Sequence, residues 1–227
     1  MRLVTAPPVY DPGGNVAFVS DLATEDYLTS LMNEASKQGA VLMVVGAKPG
    51  SPQEVELADT GFTMASEWYR TQLPLASPPP TLALRPLRVD DLPGVAEIAQ
   101  ACRLQYAHYQ PVFWCVHPNA VENHTAFLKT QLARTDACAL ACVDSEDRLS
   151  GYVFVDQRGI DDFGVHEPTL WKTVGKALLD GAAAWMGAQS LPEITVVCGH
   201  KDRPKRAMLQ ATGLYCCDGW WTLPLMG

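Results

Sequence analysis

The chain lacks several signatures that would fix its class early. No run of residues approaches the roughly 18 apolar positions that a membrane span requires, so no membrane role is expected. Basic residues are scarce: 17 Lys and Arg stand against 25 Asp and Glu, a formal charge of −8, which argues against a partner that is nucleic acid or an anionic membrane. The seven cysteines include no CxxC pair and no histidine-bearing cluster. No metal site is expected from them, and the thiols are read as reduced and mostly buried. The opening MRLVTAPPVYDPGGN has no apolar core of the signal-peptide kind, so a cytoplasmic location is the expectation.

What is present is enough apolar material for a full core. The 227 residues are 48 % hydrophobic and 19 % charged, which fits one large domain or two small ones. Residues 1–15 read as an extended arm. A strand at Asn15–Asp21 precedes a helix from Thr24, its N-cap, to Gln38, with Gly39 as the stop. A hydrophobic strand follows at Val41–Ala47. Ser51 then caps a short helix with Pro52 in its first turn, and a strand pair is expected in FTMASEWYRTQLPL. The prolines of ASPPPT mark a linker, dividing the chain into residues 1–75, a linker at 76–80, and residues 81–227.

The second part opens on a strand at Thr81–Leu87 and a helix capped by Asp90 or Asp91, with Pro93 in the first turn. An aromatic segment (Tyr106, Tyr109, Phe113, Trp114), a helix over Ala120–Ala133 and the strands ACALACVD and RLSGYVFVD come next. In Phe163–Met186, a short strand (Phe163–Val165) feeds a helix from about Thr173 through a loop, and Leu178, Ala182 and Trp185 form an apolar stripe. Backbone N–H groups at such a helix start suit a phosphate, and Gly175 lets a ligand come close. The chain closes with a strand (Glu193–His200), a helix (Arg203–Ala211) and a strand pair in LYCCDGWWTLPL.

The two parts also match each other. An offset of 152 residues pairs Pro52 with Pro204, Val44–Val45 with Val196–Val197, Leu57 with Leu209, Thr60–Gly61 with Thr212–Gly213 and Trp68 with Trp220. Such agreement is expected of two related units. If Val19 stands where Val165 does, the first unit has about six residues fewer in the phosphate loop, and only one site per chain is expected.

The phrases LRPLRVDDLPGVAEIA, CALACVDSEDRLSGYVFV, the strand–loop–helix and RAMLQATGL occur in an order and spacing that resemble the GNAT acetyltransferase superfamily over residues 81–227. The resemblance implies an α/β fold of the α+β kind: a mixed, mostly antiparallel, V-shaped sheet flanked by helices, with a partial second copy at the N-terminus. It implies acetyl-CoA as acyl donor and direct N-acetyl transfer to a small-molecule or peptide amine. The residues it assigns to the cofactor are Phe163, Gly164, Val165, Leu170, Trp171, Lys172, Thr173, Val174, Gly175 and Lys176, with Asp202 and Lys205 beyond them. The backbone N–H of Val165 would polarise the acetyl carbonyl. Four positions depart from the family: Leu170 replaces an Arg or Gln, Thr173 the first Gly of the loop, Asp202 a frequent Asn, and Leu209 the Tyr that often protonates the leaving thiolate.

Candidates for the catalytic base are Asp162, His166 and His200, with Asp161 beside them. Cys198 and His200 share a strand face, but no third orienting group accompanies them. The run His200, Lys201, Arg203, Lys205 and Arg206 is either a contact for the 3′-phosphate end of CoA or a solvated face. Tyr106, Tyr109, Phe113 and Trp114 would frame the acceptor or pack the first helices on the sheet. The alternative to an enzyme is a non-catalytic GNAT-fold binding or structural module. A homodimer, in which the N-terminal unit completes another subunit's sheet, is a further option.

Overall fold

The near-continuous apolar run Ala40–Ala47 forms a strand (β3) whose Leu42, Met43, Val44 and Val45 are buried on both faces. It is the centre of the N-terminal strands, with β1 (Arg2–Val4) and β2 (Asn15–Val19) on one side. The computed structural model describes residues 1–6, 9–19, 25–75 and 82–225. The expected Thr24 cap, the proline linker and the Asp161 side chain lie outside the described residues. Helix α1 (Glu25–Lys37) packs on β3, and α2 (Pro52–Asp59) starts as expected, with Ser51 Oγ accepting from Glu54 N at 3.3 Å.

The remaining strands are β4 (Thr63–Gln72), β5 (Leu84–Pro86), β6 (Ala137–Val143), β7 (Leu149–Asp156), β8 (Gly159–Val165), β9 (Glu193–Gly199) and β10 (Tyr215–Pro224). The helices between them are α3 (Leu92–Tyr109), α4 (Ala120–Leu132), α5 (Val174–Ala188) and α6 (Arg203–Ala211). Asp91 precedes α3 but makes no side-chain cap. Its carboxylate takes a two-pronged bond from Arg85 (2.7 and 2.8 Å) and the N–H of Arg88. The stretch before α5, expected as a loop, is a 3₁₀ helix over Pro168–Lys172, and Thr173 stands at the N-cap position of α5 without a side-chain capping bond.

All ten strands join one sheet in the order β1-β2-β3-β10-β4-β9-β8-β7-β6-β5. The pairs β2–β3 and β8–β9 are parallel and the others antiparallel. The two expected strand pairs, in FTMASEWYRTQLPL and in LYCCDGWWTLPL, are each a single strand. Neither folds back on itself because each is paired by the other part of the chain. C-terminal β10 lies between β3 and β4, and N-terminal β4 lies between β10 and β9. The strand edges proposed for another subunit are thus paired within this chain.

The exchange is reciprocal. Gly219 faces Glu67 across the β10–β4 ladder, and these two residues are themselves 152 apart. Trp68 and Trp220, also 152 apart, pack with ring centroids 5.3 Å from each other. The order strand, helix, strand, helix, strand is the same in β2-α1-β3-α2-β4 and β8-α5-β9-α6-β10.

The two parallel pairs differ in one respect that positions the site. β2 and β3 stay paired from Asn15↔Ala40 to Val19↔Val45, with one register shift between Asn15 and Val16. β8 and β9 meet only at Ile160↔Val196 and then diverge. The C-terminal strands are therefore forked, and the N-terminal ones are closed. Leu178, Ala182 and the partly buried Trp185 of α5 pack on one face of the forked strands, as their spacing predicts, while Ile98 and Leu128 of α3 and α4 cover the other.

Candidate functional site

Side chains alternate along β8, so Asp162 and Gly164 face α3 and α4 while Phe163 and Val165 face α5. On the α3–α4 side, a cavity of about 400 Å³ opens at the fork. Its walls include Tyr10, Arg103, Tyr106, Trp114, His124 and Phe127, with Tyr152, Asp162, Phe163 and Lys205 at its floor. Such a volume with mostly apolar walls and few polar groups is that of a small-molecule site.

The polar centre is Asp162. One carboxylate oxygen accepts from Tyr152 Oη at 2.9 Å, and the other lies 2.6 Å from His124 Nε2. Burial alone would raise the Asp162 carboxyl. The His124 bond and charge, with the Tyr152 hydroxyl, outweigh it, and the group is held below the usual carboxylate range. Beside an ionised Asp162, His124 Nε2 is the donor. His124 Nδ1 is buried without a partner. Burial pushes the Tyr106 and Tyr152 phenols well above their ordinary value, so both act as hydrogen-bond donors near neutral pH. Tyr106 donates to Asp202 Oδ2 at 2.9 Å, tying α3 to the start of α6, where Asp202 Oδ1 caps Lys205 N.

The other candidates are dispersed. His166 is exposed on the loop after β8. His200 Nδ1 lies 2.8 Å from Glu67 Oε1, in a cluster where Arg206 Nε and Tyr69 Oη also bond Glu67. Asp162, His166 and His200 therefore do not converge. Burial pushes the Cys198 thiol far up, the opposite of what a nucleophile needs. Of the four aromatics expected to frame an acceptor, Tyr106 and Trp114 line the cavity. Tyr109 points to a separate shallow pocket beside His200, and Phe113 packs on the strands around Trp220.

The α5 side of the fork tells whether acetyl-CoA fits. His166 N–H donates to Ser150 O, so by alternation the Val165 N–H points into the fork, where an acetyl carbonyl would need it. The phosphate loop is another matter. The indole of Trp171 is 3 % exposed and lies directly over Gly175: a Cβ added there would sit 2.5 Å from Trp171 Cε3. The close approach that glycine permits is taken by this ring. Trp171 also packs edge-on to Phe163 at 4.8 Å, and Lys205 Nζ lies 5.1 Å from both ring centroids. Lys205 Nζ donates to Phe163 O at 3.4 Å.

Nor do the neighbouring cations turn to the loop. Lys176 Nζ bonds Asp180 at 2.6 Å, and Lys172 and Thr173 project into solvent. The basic run of α6 is split: Lys205 goes inward, Arg206 goes to Glu67, and Lys201 and Arg203 are exposed. Leu170 is partly buried in the core and Leu209 fully so. As arranged, the loop residues do not fit a CoA pyrophosphate. Among the described residues, no group of His, Cys, Asp and Glu is placed to hold a metal.

A measurable consequence follows for Gly175. Gly175→Ala should drive the Trp171 ring out of its seat and destabilise the chain by about 1–3 kcal/mol, as overpacking does. Urea unfolding followed by tryptophan fluorescence reads both effects, and an unchanged midpoint would show that the indole does not depend on this seat.

Three residues of the cavity were legible in hindsight. Ala99, Arg103 and Tyr106 fall four and three apart on α3, and an arginine on a buried helix face is a signal. Ala120, His124 and Leu128, each four apart, mark the buried face of α4. Tyr10 had no such pattern.

No protein-family model matches the chain, and no curated protein matches it in sequence. Solved structures do. A functionally unknown conserved protein from Staphylococcus epidermidis aligns over 99 % of this chain and 94 % of its own at TM-score 0.60 and 14 % identity. A GNAT-family acetyltransferase from Colwellia psychrerythraea aligns over 91 % and 76 % at TM-score 0.58 and 13 % identity. A tandem GNAT protein from the clavulanic acid biosynthesis pathway aligns over 89 % and 70 % at TM-score 0.51 and 15 % identity. The chain has the GNAT fold: a mixed, mostly antiparallel sheet, forked between two parallel strands and flanked by helices. No helix is long and apolar enough to cross a membrane among the described residues.

Proposed function

We propose that this chain is a GNAT-fold ligand-binding protein that keeps the acceptor-side cavity of the fold and has closed the acyl-donor side with its own tryptophan. The observation that carries the reading is Trp171, buried on Gly175 where the fold would seat a pyrophosphate. A ligand reaches the fork from the α3–α4 side only, against Tyr106, Trp114 and the His124–Asp162 pair. Nothing in this reading requires acyl transfer.

A second reading is favoured by the Val165 N–H in the fork and by His124, which Asp162 orients as it would a general base. It is acetyl transfer from acetyl-CoA to a small-molecule or peptide amine. It requires Trp171 and Lys205 to leave the fork.

One titration separates them. Acetyl-CoA at millimolar concentration is expected to leave the melting temperature unchanged. A ligand present at a hundred times its Kd would add about 2.7 kcal/mol of stability, which calorimetry detects readily. Such a shift, or acetylation of any amine in a panel, would replace the first reading with the second.

A further inference from the structure

The cavity has an imbalance between its hydrogen-bond donors and acceptors. Both oxygens of Asp162 are taken, one by Tyr152 and one by His124. Both oxygens of Asp202 are taken as well, by Tyr106 and by the backbone of Lys205. The donors are in the opposite condition. Arg103 is 5 % exposed, its Nε donates to Gln100 Oε1 at 3.0 Å, and its buried Nη2 has no partner. Among the described residues no carboxylate lies within 4.0 Å of the Arg103 guanidinium. Lys205 Nζ, also buried, has a backbone carbonyl and two ring faces for company and no ion pair.

A guanidinium has five donors, no acceptor and no accessible neutral form, so an unmet buried Nη must find an acceptor from elsewhere. Burying it without one is costly. An amine entering this cavity would find each carboxylate oxygen already accepting a bond and two cationic side chains beside it. A carboxylate would find in Arg103 Nη2 a cationic donor without an acceptor. Tyr10, Tyr106, Trp114 and Phe127 give the walls four aromatic rings around a space of about 400 Å³, which suits a flat apolar body.

We infer that the cavity binds a small organic carboxylate, its carboxyl group on Arg103 and its apolar body against the aromatic walls. The inference rests on the reading of this cavity as a ligand site and deepens it by naming the ligand's chemistry.

The test is calorimetric titration of the full chain with three molecules of one shape: phenylacetate, phenylacetamide and phenethylamine. Phenylacetate should bind at least tenfold more tightly than the amide, and the amine should give no heat. In Arg103→Met the gap between acid and amide should vanish while amide binding persists, and Arg103→Lys should restore part of the gap. Phe127→Ala, at the exposed rim, should weaken acid and amide alike. Circular dichroism on each variant guards against misfolding, and the wild-type comparison of the three ligands stands without any variant.

The inference is overturned if the amine binds as well as the acid, if acid and amide are equal, if Arg103→Met leaves the preference intact, or if none of the three binds. A response to acetyl-CoA with the acid preference intact would overturn the closed-donor reading alone. An acid-blind cavity with no response to acetyl-CoA would overturn only the carboxylate.

Discussion

Residues 82–227, produced without the N-terminal part, are expected to be insoluble or to show no cooperative melt. The reason lies in the sheet order. β10 has β3 on one edge and β4 on the other, so both its neighbours come from the first 75 residues. β9 loses β4 as well. The truncated chain would carry three newly unpaired strand edges, two on β10 and one on β9, and Trp220 and Trp221, which point to opposite faces of the sheet, would lose the N-terminal strands they pack on. Exposed strand edges flanked by large apolar side chains are a route to aggregation. Co-expression with residues 1–75 should restore a soluble one-to-one complex, because the exchange needs only that both strands be present. Size-exclusion chromatography and thermal unfolding decide it. A soluble fragment with a sharp melt would mean that β10 can be housed without β3 and β4.

Glu67→Ala is expected to cost about 3 kcal/mol, the scale for breaking a buried ion pair by removing one partner. Glu67 is buried in β4, where its two oxygens hold His200 at 2.8 Å, Arg206 at 2.7 Å and Tyr69 at 2.6 Å. Without it, Tyr69 Oη loses its acceptor, Arg206 loses its carboxylate partner and keeps only the bonds to His200 O and Tyr69 Oη, and the tie between α6 and the N-terminal part is weakened. Burial works to raise the Glu67 carboxyl, but the His200 and Tyr69 hydrogen bonds and the Arg206 charge lower it further, and the net shift is downward.

That direction fixes the pH dependence. A carboxylate whose folded pKa is depressed contributes its full stabilisation above the unfolded value, near 4.3 for Glu and 3.9 for Asp. As pH falls below this, the unfolded chain takes up protons first, and the contribution is lost until the folded pKa is passed. Asp162, also held low, adds to the same acid slope. Stability should therefore be flat in this respect above about pH 5 and decline below it. Glu67→Gln should show a shallower acid slope than wild type in urea unfolding. An identical slope would remove Glu67 from the acid response.

Much of the fold could be read from local pattern. The Leu178, Ala182 and Trp185 stripe gave α5, and the Ser51–Pro52 pair gave the start of α2. These features are legible because capping and amphipathic burial act within a few residues. The division of FTMASEWYRTQLPL and LYCCDGWWTLPL into pairs was not legible. A strand's residues say which face is buried, but they do not name the strand that bonds its edge. The basic run of α6 looked like one patch because sequence adjacency hides the roughly 100° between successive helical side chains, which sends Lys205 and Arg206 to different places.

The site divides in the same way. Asp162 was visible as a carboxylate on the fork strand. The side chains that hold it, His124 from α4 and Tyr152 from β7, lie 38 and 10 residues away along the chain. Trp171 was expected at the cofactor, yet it serves as the cofactor loop's filling. Leu170 and Thr173 marked the loop as altered, but only packing could show what occupies the space.

By itself, the sequence determined the succession of strands and helices, the internal correspondence at 152 residues and the likeness to the GNAT fold, since each depends on spacing along one chain. The tertiary structure alone decided three things: the strand exchange between β4 and β10, the packing of Trp171 on Gly175, and the convergence of Arg103, His124 and Asp162 on one cavity. Each of these is a meeting of residues from separate segments, and such a meeting is fixed by burial and hydrogen bonding in the folded chain.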